Sequence, residues 1–291
     1  MSTVAQRTAG APISWGVCEV PGWGHQLAPD RVLAEMRDVG LIATEFGPDG
    51  FLPEPPEDKA ATLRSYGLSA VGGFVPVVLH ERGHDPAPGV DRALDGFVAA
   101  GAGVLVLAAA TGRDGYDERP ELDDDAWKRL LNNLDHLSER AAGRGVLATL
   151  HPHVGTVVEM REEVDRVLEG SSVPLTLDTG HLLIGGTDPA ALAREATDRI
   201  AHTHLKDVDA GWADRVRAGD VTYTDAVRHG MYRPLGRGDV DVAGIVGALE
   251  DAGYQGWYVL EQDAVLTEEP TGEGPVADVR ASIEHLRGLG R

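Results

Sequence analysis

Short apolar runs alternate along the whole chain with segments whose apolar residues recur every three or four positions. The run GAPISWGV (10–17) precedes APDRVLAEMRDVG, where Val32, Leu33, Met36 and Val39 share a helical face that ends at Gly40. LIATEFG (41–47) leads through a Pro-rich entry into a helix reaching Tyr66. LSAVGGFVPVV (68–78) and GVLVLAAA (103–110) read as the third and fourth strands, with a helix around 89–100 between them. The amphipathic ELDDDAWKRLLNNLDHLSERAAGRG follows, with Trp127, Leu130, Leu131, Leu134 and Leu137 on one stripe. VLATL (146–150), VPLTLDTG (173–180) and RIAHTHLKD (199–207) are strands five to seven, separated by helices MREEVDRVLEG and 188–198. A polar insertion, about 208–238, comes before the helix VDVAGIVGALEDAG, strand eight (GWYVLEQD, 256–263) and a closing helix at about 276–288.

Alternating strands and helices predict parallel strands joined by helical crossovers. Eight such units are the number that closes a (β/α)8 TIM barrel, and an open doubly wound sheet is the competitor. The nucleotide-binding version of that sheet is weakened, because no Gly-x-Gly-x-x-Gly follows the first strand and no Walker-A sequence occurs. No linker or shift in composition divides the chain, so residues 1–291 read as a single α/β barrel domain with one long loop insertion.

Composition narrows the function classes. An apolar fraction of 42% suffices for a sizeable ordered core. The net charge of −21, from 47 acidic and 26 basic residues, argues against nucleic acid or an anionic membrane as partner. A single cysteine, Cys18, excludes an intrachain disulfide framework and a Cys-rich zinc site. The N-terminal stretch lacks a signal-peptide core and no run approaches the length of a membrane span, so a cytoplasmic protein is the simplest expectation.

Ionisable residues gather at the C-terminal ends of the expected strands, where barrel enzymes place their chemistry. Glu45 ends strand two, His151 and His153 end strand five, and Asp178 and His181 end strand six. His202, His204, Lys206 and Asp207 end strand seven, and Glu261 and Asp263 end strand eight. Residues two apart face one side of a strand, so His202, His204 and Lys206 point together. His151, Asp178, His204 and Glu261 come from four successive strands, each offering one nitrogen or oxygen donor. A mixed imidazole–carboxylate set of this kind suits Mn²⁺, Co²⁺, Fe²⁺ or Zn²⁺ better than Mg²⁺ or Ca²⁺. Singly, each residue has a plain structural reading: Asp178 as a turn cap, Glu261 in an ion pair, His202 as a core histidine. Four successive strand ends with the same chemistry outweigh those readings.

These stretches carry a family resemblance. APISWGV, EFGPDGFLP, LHPHVGT, LDTGH, HTHLKD, HGMYRPLGRGDVD and GWYVLEQD, in that order along nearly the whole chain, resemble the xylose isomerase-like TIM barrels. Among these sugar isomerases and epimerases the sequence is most similar to the inosose dehydratase branch of inositol catabolism. The resemblance implies a divalent metal, commonly Mn²⁺ or Co²⁺, with Asp178, His204 and Glu261 at ligand positions. It places His151 where the isomerases carry a ligand glutamate, and HPHVGT matches the His-x-His-x-Gly-Thr stretch of the dehydratase branch.

Epimerases of the family use two metal-bound carboxylates on opposite faces of the sugar, and His151 removes one of them. Elimination of water needs one base and an acid for the departing hydroxyl, so the implied activity is a hydro-lyase acting on a keto-inositol such as 2-keto-myo-inositol. Glu261, His153 and His181 are candidate bases, and Lys206 is a candidate acid or oxyanion partner, oriented by Asp207. Trp15 and Glu45 are expected substrate contacts, with core packing and an ion pair as their alternatives. Arg233 and Arg237 in the insertion are expected either to contact substrate or to fix the loop. The competing activities are a keto-sugar isomerase or epimerase, a lyase of 3-keto-glycosides, and a metal-free sugar-binding barrel. The expected partner is a small polyol or keto-sugar, and homo-oligomers are common among such barrels.

Overall fold

The computed structural model describes residues 3–290. Its main sheet contains β1 (Thr8–Gly10), β2 (Ala43–Thr44), β3 (Ser69–Ala70), β4 (Gly72–Val77), β5 (Val104–Ala109), β6 (Leu147–Leu150), β7 (Leu175–Asp178), β8 (Ile200–Leu205) and, beyond a two-stranded ribbon, β11 (Tyr258–Leu260). Their spatial order is β3-β2-β1-β11-β8-β7-β6-β5-β4, and every pairing is parallel. The two ends of that order, β3 and β4, are halves of one strand interrupted at Val71. Val71 N donates to Thr44 O, and Val71 O accepts from Gly103 N and Val104 N, so the ladder crosses the interruption and the barrel closes. The eight expected strands are therefore present, the third one kinked.

The kink has a steric cause. At Gly72 a Cβ would lie 2.2 Å from the carbonyl oxygen of Val104, an approach that a side chain forbids. The first strand also differs from expectation: it covers Thr8–Gly10, and PISW forms a 3₁₀ turn at Pro12–Trp15. Pro12 has no N–H to give a sheet ladder, and its fixed φ suits the first position of a helical turn.

The outer helices follow their apolar stripes. Helix Asp124–Ala142 starts where the Asp123 carboxylate accepts from Ala126 N, and it buries Trp127, Leu130, Leu134, Leu137 and Ala141 against the sheet. Helices at Pro29–Asp38, Ala87–Ala100, Arg161–Gly170, Val242–Asp251 and Val276–Gly288 bury comparable stripes. The insertion is ordered. An antiparallel ribbon, β9 (Asp207–Val208) with β10 (Tyr232–Arg233), brackets two helices, Ala210–Arg217 and Tyr223–Arg228. Among the described residues no helix is long and apolar enough to cross a membrane.

Candidate active site and metal centre

β6 to β8 and β11 end on one face of the barrel, and their last residues and first loop residues converge. Asp178 closes β7 and caps the helix behind it: its Oδ1 accepts from the backbone of Gly180 and His181 at 2.9 and 2.8 Å. That double bond fixes the carboxylate and turns Oδ2 inward, 3.1 Å from His151 Nε2 and 3.6 Å from His204 Nδ1. Glu261 Oε2 lies 3.2 Å from the same Nδ1. All four side chains are buried.

Three of these donors, His151, Asp178 and His204, form a group that fits a divalent cation, and Glu261 adjoins it at His204. Among the described residues, the buried His204 Nδ1 has no hydrogen-bond partner, yet it faces two carboxylate oxygens. A neutral imidazole lone pair directed at two anions is repulsive unless a cation lies between them. In the ion-free protein a proton serves: burial opposes charge, but Glu261 and Glu45 outweigh it and hold the His204 imidazole well above its ordinary range. Donor separations of 3.1 to 3.6 Å match neighbouring ligands around an ion with bonds of about 2.1 Å. His151, Asp178 and His204 each bring one ligand atom within 4.8 Å of the others.

Lys206 stands beside this cluster, fully buried. Its ammonium donates to Asp263 Oδ1 at 2.6 Å and to His181 Nε2 at 3.2 Å, and lies 2.8 Å from Glu261 Oε2 and 3.5 Å from Asp178 Oδ2. Burial alone would discharge the amine; Asp178, Asp263 and Glu261 overcome it and keep the pKa well above that of a free lysine. For Glu261 the balance runs the other way, with His204 and Lys206 overriding burial and lowering its pKa to about 2. Asp263 stays raised, because burial and Glu261 oppose its ionisation even beside Lys206.

His153 is held neutral. Burial, reinforced by His151 and Lys206, holds it well below the usual histidine range. Its Nδ1–H donates to the Val154 carbonyl at 2.7 Å, which leaves the lone pair on Nε2. The His181 ring packs on His153 at 3.6 Å between centroids, and Phe74 and Tyr116 cover its other sides. The turn that aims His153 depends on Gly155, whose φ is +74° and whose Cβ would lie 2.4 Å from the Tyr116 backbone. Gly155→Ala is therefore expected to cost at least about 2 kcal/mol, read as a lower urea midpoint with an unchanged m-value.

A cavity of about 720 Å³ opens over these groups. Glu45, His151, His153, His204, Lys206 and Glu261 line it, together with Asp263, Phe74 and Tyr116. The other sequence-predicted residues stand elsewhere. His181 and Asp178 lie behind the lining, and Trp15 is in the core, its Nε1 donating to Glu35 at 2.7 Å. Asp207 spends both carboxylate oxygens on backbone N–H groups of Val208, Gly236, Gly238 and Val240, so it ties down the base of the insertion and does not orient Lys206. Arg233 pairs with Asp209 on the insertion, and Arg237 is exposed outside the cavity lining. Glu45 reaches the cavity and also holds both His202 and His204.

The sequence reading assigned no role to the tyrosines. Tyr223, from the insertion, donates to Asp263 Oδ2 at 2.6 Å and lies 3.0 Å from the Tyr232 hydroxyl; the Tyr232 ring sits under the Lys206 ammonium. Nothing local in the polar insertion signals that contact. Asp263 was visible, since it follows Glu261 by two positions and shares its face.

Fold and site together define the class: a closed α/β barrel with a buried imidazole–carboxylate cluster at the C-terminal strand ends. The model of the xylose isomerase-like TIM barrel family matches residues 33–289, and the chain belongs to that family. It is 31% identical over 294 residues to an inosose dehydratase of Geobacillus kaustophilus (strain HTA426), covering 95% of this chain and 92% of that one. It is 34% identical over 294 residues to the rhizopine catabolism protein MocC of Rhizobium meliloti, covering 98% and 89% of the two chains. Among solved structures, the IOLI protein with a bound zinc atom superposes with a TM-score of 0.65 at 15% identity, covering 98% of this chain and 96% of that one.

Proposed function

We propose that the protein is a metal-dependent hydro-lyase that removes water from a keto-inositol such as 2-keto-myo-inositol, with Mn²⁺ or Co²⁺ held by His151, Asp178, His204 and Glu261. One observation carries the reading: three buried donors, His151, His204 and Glu261, face a cavity with Asp178 directly behind them, and the same cavity presents the charged Lys206 and the neutral His153. Full-length similarity to an inosose dehydratase supports the substrate class.

A bound divalent cation supplies Lewis-acid stabilisation of the carbonyl oxygen as negative charge develops there. His153 takes the α-proton on Nε2 from the hydroxyl-bearing carbon beside the ketone, since its Nδ1–H is committed to Val154. The C–O bond on the next carbon breaks and a C=C bond forms. Lys206 gives that departing hydroxide a proton, so one water leaves, and the resulting enol ketonises to a 1,2-dione. His181 and Asp263 hold the Lys206 ammonium in place at 3.2 and 2.6 Å. The aromatic faces of Phe74 and Tyr116 screen His153 from bulk water.

Metal-stripped protein incubated with 2-keto-myo-inositol tests this. Loss of one water by mass, restored by Mn²⁺ or Co²⁺ and absent in Asp178→Ala, is the expected result. Metal-dependent deuterium uptake without water loss would assign the site to an isomerase or epimerase instead.

A further inference from the structure

Glu45 follows the last residue of β2 and reaches the same cavity as His151 and His153. Its side chain is 3% exposed, and one oxygen, Oε1, is shared by two imidazoles: His202 Nε2 at 2.8 Å and His204 Nε2 at 3.0 Å. A carboxylate oxygen accepts, so both rings carry their proton on Nε2. For His204 this decides which nitrogen faces the metal centre. A neutral imidazole has one N–H, and with it committed to Glu45 the lone pair falls on Nδ1, beside Asp178 and Glu261. Without Glu45 the opposite tautomer has a ready partner: Nδ1–H would donate to Glu261 Oε2, 3.2 Å away, and the ring would close the cation site with its own proton.

We infer that Glu45 is a positioning residue for the metal centre: it locks His204 in the Nε2–H tautomer, and His202 in turn anchors Glu45. The inference rests on the metal reading proposed above, but concerns a residue that supplies no ligand atom to the ion. Ligating imidazoles generally depend on such a partner, whose removal weakens metal binding about 10–100-fold. Glu45, His202 and His204 also bring ligand atoms within 4.8 Å of one another, which raises the alternative that Glu45 itself ligates a second ion. The 2.8 and 3.0 Å contacts are ordinary charge-assisted hydrogen bonds, so the protons already present satisfy that group. Among the described residues, His202 Nδ1 is buried without a partner and faces no carboxylate within ion-pair distance.

The test is calorimetric titration of metal-stripped wild-type, Glu45→Gln and Glu45→Asp proteins with Mn²⁺ and with Co²⁺, with the visible Co²⁺ spectrum recorded alongside. Glutamine keeps the shape and can keep an accepting oxygen toward His204 but removes the charge that makes the bond strong, whereas aspartate keeps the charge and withdraws the acceptor from His204 by one methylene, so aspartate is the decisive variant. The expected result is one ion per chain in wild type, a Kd raised at least about tenfold in each variant, and an altered Co²⁺ spectrum, with circular dichroism unchanged. Glu45→Asp carries the test if Glu45→Gln does not fold. Equal affinity and an identical spectrum in folded Glu45→Asp would overturn the inference while leaving the metal reading intact. Two ions per wild-type chain would also overturn it, making Glu45 a ligand. Absence of any bound ion in wild type would remove the metal reading and this inference together.

Discussion

Lys206→Met is expected to destabilise the metal-free protein by about 3–5 kcal/mol, the cost of leaving buried charge uncompensated. The ammonium is fully buried among Asp178, Glu261 and Asp263, and no other lysine or arginine pairs with those three among the described residues. Asp263 shows how close the balance is, since burial already raises its pKa with Lys206 in contact. In the variant Asp178 and Asp263 lose the positive charge that most favours their ionisation, and Asp263, whose pKa is already raised, rises further above its unfolded value. Stability is then present below the unfolded carboxyl pKa and lost as pH climbs through the raised folded values. The variant should therefore melt at a higher temperature at pH 5 than at pH 8 in the presence of chelator. Mn²⁺ should recover part of the loss, because Asp178 and Glu261 then surround a dication and binding stabilises the folded state by mass action. Thermal melts at both pH values, with chelator and with Mn²⁺, measure this. A loss under about 1 kcal/mol, flat with pH, would mean that the ammonium does not hold these carboxylates together.

The barrel was legible because its signal is periodic. Apolar runs bounded by amphipathic stripes such as Trp127, Leu130, Leu134 and Leu137 located the helices, and the strand ends then located the chemistry. What failed to read through was local or distant. The Gly72 kink depends on a carbonyl of a neighbouring strand, and PISW looks like a strand because Pro12 and Trp15 are buried although the backbone forms a 3₁₀ turn. Asp207 looked like part of the site because it follows Lys206, but the next residue of a strand points to the other face. Its four backbone donors come from its own ribbon and the loop that follows β10. Trp15 is the same lesson at the first strand: position near a strand end gave it an expected contact, while the turn carried its ring into the core. Glu45 and Tyr223 owe their roles to partners 159 and 40 residues away, which no window along the chain contains.

His153→Gln is expected to lower kcat by about 10²–10⁴-fold, the range for losing a positioned general base, while leaving the Mn²⁺ Kd unchanged. Two groups compete for that role. Glu261 is held near a pKa of about 2 by His204 and Lys206, and as a proposed ligand it has little basicity to offer. His153 is kept neutral by burial, lines the cavity, and has its proton tied to Val154 on the far side of the ring. Glutamine preserves much of the bulk between Phe74, Tyr116 and His181 but cannot accept a carbon-bound proton. The discriminating measurement is exchange of the substrate α-hydrogen with deuterated solvent, followed by mass spectrometry under conditions in which the variant still binds one ion. If His153 removes that hydrogen, exchange and water loss fall together and KM moves little, because the lost interaction belongs to the transition state. If exchange persists at the wild-type rate while water loss stops, His153 acts on the leaving hydroxyl instead, and the proton-abstracting role passes to Glu261.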